Sequence, residues 1–234
     1  MMKTKLVLGL LAVVLLLAAC GESKKSAVFE YDFSTETHGW VGDFVDLPTD
    51  WDDIYELEFD HRPLPSYLGD RKGLHISGSN HSDDLFMFLK KQITGLKPNA
   101  EYRVEFTLRF ATQAASGCVG IGGAPGEAVY VKAGAAPEEP VPVIENGWYR
   151  LNLDKCNQSG SGEHGIVLGD VANTLDDCHG DTYELKTLQG PSDGSFITRT
   201  DANGSLWIFA GTDSGFEGKT SLYYTYIKAT LELK

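Results

Sequence analysis

Tyr102, Val104, Phe106, Leu108 and Phe110 alternate with Arg103, Glu105, Thr107 and Arg109. A period of two gives a strand with one apolar and one wet face, and the apolar face requires a second layer to cover it. Pro98-Asn99 just before it is turn chemistry, because proline fixes its own φ and asparagine tolerates unusual backbone angles. Weaker alternation recurs over residues 28–33, 54–60, 73–78, 84–93, 128–132, 148–153, 165–169, 183–188, 196–200, 206–211 and 221–233. No stretch sustains a helical period, and 26 glycines and 9 prolines punctuate the chain often. The fold class expected is all-β, a two-sheet antiparallel jelly-roll β-sandwich over residues 28–234 whose first and last strands pair. Asn203-Gly204 reads as a hairpin turn joining 196–200 to 206–211. On the last strand, Thr225, Ile227, Ala229, Leu231 and Leu233 read as one face and Tyr224, Tyr226 and Lys228 as the other.

The N-terminus has a different character. Lys3 and Lys5 precede an almost unbroken apolar run of 14 residues, too short to span a bilayer comfortably and suited to a signal peptide. It ends in Leu17-Ala18-Ala19-Cys20-Gly21, which resembles the lipobox of bacterial lipoproteins. That resemblance implies cleavage after residue 19 and lipidation at Cys20. Residues 20–27 would form a short tether reaching at most roughly 25 Å. The implied location is extracytoplasmic, anchored to the bacterial cell membrane, or to the outer membrane in a cell that has one. Multiple acyl chains hold a protein on a membrane where one is marginal.

Removing the leader leaves 18 basic residues against 33 acidic ones, a net charge near −15. A polyanion of this kind is not built for nucleic acid, and its simplest consequence is solubility. Three cysteines remain, Cys118, Cys156 and Cys178, so one disulfide can form and one thiol is left over. Three pairings are open. Cys118 lies beside a glycine-rich turn and Cys178 in Asp176-Asp177-Cys178-His179, and Cys118–Cys178 is the pairing expected.

No catalytic constellation is evident, since no nucleophile elbow or phosphate loop is present. Glu56, Glu58 and Asp60 would share one face of a strand, roughly 6–7 Å apart. That is a glycosidase-like carboxylate spacing, for which about 5–9.5 Å is needed. A solvated outer face accounts for the same alternation and is the stronger reading. Clustered loop oxygens suit calcium: Asp43 and Asp46 belong to one acidic loop, with Asp50, Asp52 and Asp53, and Asp201 and Asn203 to another. Asp213 with Glu217 is a further option. Cys178-His179 lacks the ligand spacing of a zinc site. Trp51, Tyr224 and Tyr226 are the aromatics expected to stack on a sugar ring.

Phe33 with Gly39-Trp40, Gly73-Leu74-His75-Ile76 and Gly95-Leu96-Lys97-Pro98-Asn99 leading into Tyr102 resemble the jelly-roll, galactose-binding-like modules, which include carbohydrate-binding modules. The runs Gly78 to Phe88, Gly122 to Glu127 and Leu206 to Gly218 resemble a group of bacterial lipoproteins without an assigned activity. The anchor, the jelly-roll pattern and the lack of a catalytic constellation together lead to the expectation of a non-catalytic, membrane-anchored binding module with an extracellular glycan as partner, and the likeness to related sandwiches adds a structural Ca²⁺. The alternatives are a glycoside hydrolase or polysaccharide lyase using Glu56, Glu58 or Asp60, and a structural or adhesion protein.

Overall fold

The structure is a computed structural model that describes residues 26–50 and 52–234. The signal peptide, Cys20 and Trp51 lie outside the described residues. The strands in chain order are β1 (Ser26–Asp32), β2 (Val41–Val45), β3 (Leu47–Pro48), β4 (Glu58–Pro63), β5 (Lys72–Ser79), β6 (Leu85–Ile93), β7 (Glu101–Thr112) and β8 (Val129–Ala136). They continue as β9 (Pro142–Glu145), β10 (Trp148–Leu151), β11 (Gly165–Asp170), β12 (Glu184–Gly190), β13 (Ile197–Arg199), β14 (Leu206–Ser214) and β15 (Lys219–Leu233). Among the described residues the only helical pieces are two short 3-10 turns.

Two antiparallel sheets pack face to face. Sheet A runs β12-β7-β15-β5-β4, with β1 also paired to β15 and β13 to β7. Sheet B runs β11-β8-β14-β6-β2, and β3-β10-β9 form a small third sheet. The chain changes sheet repeatedly, from β5 to β6, β6 to β7, β7 to β8 and β14 to β15, as a jelly roll requires. The first and last strands pair antiparallel, Ser26 opposite Glu232 and Asp32 opposite Tyr226.

β7 is the central strand. Its Tyr102, Val104, Phe106, Leu108 and Phe110 are all buried, facing Leu85, Met87 and Leu89 of β6, Val129, Val131 and Ala133 of β8, and Ile208 and Ala210 of β14 within one apolar cluster. Burying this many large side chains at roughly 1.5–3 kcal/mol each is the main favourable contribution to the fold.

Three expectations are corrected. Residues 54–60 do not form one strand: Asp52–Tyr55 is a 3-10 turn, and Glu56 has φ +47, so the strand begins at Glu58. Tyr55 has thereby left the strand, and it is fully buried. The Asn203-Gly204 turn does not close a hairpin, because β13 pairs with β7 in sheet A while β14 pairs with β6 and β8 in sheet B. It is a corner between sheets. Asp201 Oδ1 accepts the backbone N–H groups of Asn203 (2.9 Å) and Ser205 (2.7 Å). Gly204 has φ +74 and packs so closely on the Leu96 carbonyl that a side chain would collide.

The third concerns β15. Its register against β7 shifts between Tyr224 and Tyr226, so Thr225 forms a bulge and the inward face changes parity there. Leu222 and Tyr224 face the core before the bulge, and Ile227, Ala229 and Leu231 after it. Tyr224 is therefore a core residue, 0% exposed, and cannot offer its ring to a ligand.

Cys118 and Cys178 are joined in a disulfide with Cα atoms 5.6 Å apart, and Cys156 is free and exposed. Such a bond belongs to an oxidising, extracytoplasmic setting.

Candidate functional site

The outer face of sheet B is built from the unbroken apolar run Leu85-Phe86-Met87-Phe88-Leu89. Alternate members must point opposite ways, so Leu85, Met87 and Leu89 enter the main core while Phe86, Phe88 and Lys90 emerge on the far side. There Val45, Phe86, Phe88, Ala136, Leu153 and Phe209 form a second buried cluster. Phe86 and Phe88 stack with centroids 5.1 Å apart, and Phe209 meets both edge-on.

Register then places two charged residues under this cover. Phe86 lies opposite Asp213 of β14, and Gly211, two residues earlier, lies opposite Lys132 of β8. Asp213 and Lys132 are both 0% exposed. Asp213 Oδ2 accepts from Lys155 Nζ (2.7 Å) and the Gln158 backbone N–H (3.0 Å), and lies 3.0 Å from Lys132 Nζ. Lys132 Nζ also donates to the carbonyls of Lys155 (2.9 Å), Cys156 (3.1 Å) and Gly160 (3.0 Å). Lys155 Nζ stands 2.9 Å from Asp46 Oδ2, and Arg150 donates to Asp46 (2.8 Å) and Asp84 (2.9 Å).

Burial and charge pull these groups in different directions. Burial pulls the Lys132 ammonium below its usual range, against the attraction of Asp213. For Lys155 burial acts the same way, but Asp213 and Asp46 together outweigh it and the ammonium is held above its usual range. Asp84 is pushed up to about 6, first by burial and then by the neighbouring Asp46 and Asp213 carboxylates. A carboxyl shifted in this way beside a cleft marks a functional-site candidate. The cleft is an open pocket of about 350 Å³ whose lining includes Asp46, Asp84, Glu145, Arg150 and Lys155. The Arg150 guanidinium also lies over the Trp148 ring, 4.8 Å from its centroid.

Asp46, Asp84 and Asp213 each bring a carboxylate oxygen to within 4.8 Å of the other two, a set that could hold a metal ion. Of the residues expected to ligate calcium, Asp46 and Asp213 belong to it, and Glu217 does not. Asp43 is 3.2 Å from Lys90, Asp201 is engaged in the corner turn, and Asn203 is within that turn. Asp84 escaped the sequence reading because its meeting with Asp46 and Asp213 depends on strand register, which spacing alone does not reveal.

The outer face of sheet A is open by contrast. One row across it reads Asp60, His75, Tyr223, Ala111 and Leu185. His75 is buried against Tyr223, ring centroids 4.8 Å apart, and its Nε2 lies 3.0 Å from Ser221 Oγ. Tyr183 Oη donates to the same Ser221 Oγ (2.9 Å), and its ring meets Tyr223 edge-on at 5.2 Å. Tyr226 is half-buried on this face, with the Arg109 guanidinium 5.3 Å from its ring centroid. Ser221 also lines a neighbouring cleft of about 340 Å³, walled by Gln113, Phe216, Lys219 and the Cys118–Cys178 disulfide.

Glu58 and Asp60 share this face, but Arg62 donates to both, at 3.0 Å to Glu58 and 2.6 Å to Asp60. That hydrogen bonding holds the Asp60 carboxyl below its ordinary range, the opposite of what a general acid requires. Glu56 is outside the strand and lies 3.2 Å from Lys219 Nζ.

No protein-family model and no curated protein matches the sequence. Solved structures do resemble it. One is a carbohydrate-binding module described for specific mannan recognition, at 10% identity and TM-score 0.41, covering 88% of this chain and 97% of that one. Another is the K3 cleaved adhesin domain of Lys-gingipain from Porphyromonas gingivalis, at 13% identity and TM-score 0.36, covering 87% and 98%. A third is the enzymatically active domain of tailspike protein 4 from bacteriophage CBA120, at 11% identity and TM-score 0.34. It is matched over 84% of this chain, which spans only 20% of that one's length. At such identities no residue role or ligand transfers from them.

Proposed function

We propose that the protein is an extracytoplasmic lipoprotein, anchored through Cys20, that binds glycan on the outer face of sheet A. The observation that carries the binding reading is that Tyr183, Tyr223 and Tyr226 share that one face with Asp60, Arg62 and Ser221, Tyr183 touching both Tyr223 and Ser221. Sugar rings pack their C–H faces on aromatic rings, while carboxylate, guanidinium and hydroxyl groups bond the ring hydroxyls. An apolar body with a polar tip is what tyrosine supplies. Arg62 engages both strand carboxylates, which favours binding over glycoside hydrolysis as the reading of Glu58 and Asp60.

Binding to a broad panel of polysaccharides tests the glycan reading. Tyr223→Ala and Tyr226→Ala should each weaken affinity about tenfold or more, equivalent to about 1.4 kcal/mol. Trp51→Ala joins the series because its ring remains a stacking candidate. If the wild-type protein binds no member of the panel, the reading fails. For the anchor, metabolic labelling with a fatty acid should be lost in Cys20→Ala; retained label would place the acyl chain elsewhere.

A further inference from the structure

The three-aspartate cluster on sheet B has the form of a cation site, and its geometry identifies the cation. Among the described residues, Asp84 Oδ1 and Asp213 Oδ1 are buried with no hydrogen-bond partner. Asp213 is wholly enclosed. Buried carboxylate oxygens left unpaired call for an ion or other donor near them. The group already there is the Lys155 ammonium, 2.7 Å from Asp213 Oδ2, 2.9 Å from Asp46 Oδ2 and 3.2 Å from the Cys156 carbonyl. A second ammonium, that of Lys132, sits in three backbone carbonyls plus Asp213. Carboxylate and carbonyl oxygens gathered round a positive centre are the donor set a hard divalent cation takes.

Charge decides between the two kinds of occupant. Asp46, Asp84 and Asp213 supply three negative charges, and Lys132, Lys155 and Arg150 answer them with three positive ones. A divalent ion added to this set would leave two positive charges uncompensated in a largely buried place, which is strongly unfavourable. Removing one ammonium leaves three carboxylates against two cations and frees the oxygens it held.

We infer that this cluster is a cation site whose resident cation is the Lys155 ammonium, and that a hard divalent metal ion enters it only when that ammonium is removed. Lys155 reaches the site from the segment Asp154-Lys155-Cys156, whose backbone is fixed by Asp154 accepting the Cys156 N–H (2.9 Å) and the Glu163 N–H (3.0 Å). The lysine is thereby held in place by its own loop, as a metal would hold the loop by its carbonyls. The inference does not rest on the glycan reading, because the cluster lies on the other sheet.

Calorimetric titration of the mature protein with CaCl2, paired with thermal melts in millimolar Ca²⁺ and in chelator, tests it. Wild type should show no binding heat and the same melting temperature in both conditions. Lys155→Met, which keeps the stem and removes the charge, should gain Ca²⁺ binding and melt at a higher temperature in Ca²⁺ than in chelator. Adding Asp84→Asn to that variant should abolish the gain. Calcium-dependent melting of wild type, lost in Asp84→Asn alone, would overturn the inference. So would a folded Lys155→Met that binds no Ca²⁺. If Lys155→Met does not fold, Lys155→Gln takes its place, with the same two outcomes. If neither folds even in Ca²⁺, a metal ion does not take over from the ammonium and the inference fails.

Discussion

On sheet A the outward row Asp60, His75, Tyr223, Ala111 and Leu185 ends in a leucine that is 41% exposed. On sheet B the outward row Val45, Phe86 and Asp213 is entirely sealed. The strands of both sheets alternate in the same way, so strand geometry does not explain the difference. What separates them is the segment from β9 to the loop before β11, which lies over sheet B and closes a second apolar cluster there with Leu151 and Leu153. A face left open can recruit aromatic and polar groups for a ligand. One that is covered must neutralise every charge beneath the cover, and it does so with lysines bonded to the covering chain. Lys90 donates to the Pro140 carbonyl (2.7 Å), and Lys132 to three carbonyls between residues 155 and 160.

Equivalent substitutions on the two faces should therefore differ sharply. Asp213→Ala would strip two buried ammonium groups of their shared carboxylate and should destabilise the protein by about 3–5 kcal/mol. Asp60→Ala, removing half of a partly exposed ion pair, should cost about 1 kcal/mol. Urea denaturation of the pair measures both, and equal losses would erase the distinction. Among apolar residues, Phe88→Ala should cost about 3–5 kcal/mol by the same measurement. Leu185→Ala should fall within about 0.5 kcal/mol of wild type.

The disulfide spans 60 residues and ties the loop after β7 to the approach of β12. Replacing Cys118 and Cys178 by serine should cost about 2–4 kcal/mol. Because the bond walls the cleft beside Ser221, its loss should disturb sheet A's face more than sheet B's. Hydrogen exchange resolved along the chain would show which.

The remaining effect is one of pH. Asp84 has its folded-state carboxyl pushed up to about 6 from an ordinary 3.8, so the folded protein holds this proton more tightly than the unfolded chain. Stability from this group therefore falls as pH rises from about 4 to 6 and is recovered on acidification. Relative to wild type, Asp84→Asn should flatten the stability profile across that window and leave its shape elsewhere unchanged. A profile that does not change there would show Asp84 to be solvated like a carboxylate on the open face.

Much of sheet A was legible in the residues. The alternation at 102–110 names the central strand because each apolar side chain there faces the core and each polar one does not. β15 was legible only beyond its bulge: the extra residue at Thr225 has no composition signature, so Tyr224, which precedes it, was read on the wrong face. Sheet B's cover has a signal in Leu85-Phe86-Met87-Phe88-Leu89, since a strand with no polar alternate is buried on both sides, but 84–93 was read only as an alternating strand. The matching signal in the cover is absent, because β9 lies in a proline-rich stretch that reads as loop. The charged cluster was legible least of all. Asp46, Asp84 and Asp213 are far apart in sequence, and the pairing of β6 with β2 on one side and with β14 on the other brings them together, with Lys155 entering from the 150s loop.

The pairing of β1 with β15 has a consequence for orientation. Ser26, where the tether would end, lies opposite Glu232, while Tyr223 lies nine residues back along β15. At about 3.3 Å per residue, the tyrosine face and the disulfide-walled cleft stand about 30 Å from the point of attachment. A chain held by acyl groups at Cys20 would then stand on the end that carries both termini. Its tyrosines would be raised toward the surroundings, with the length of the last strand serving as the mast.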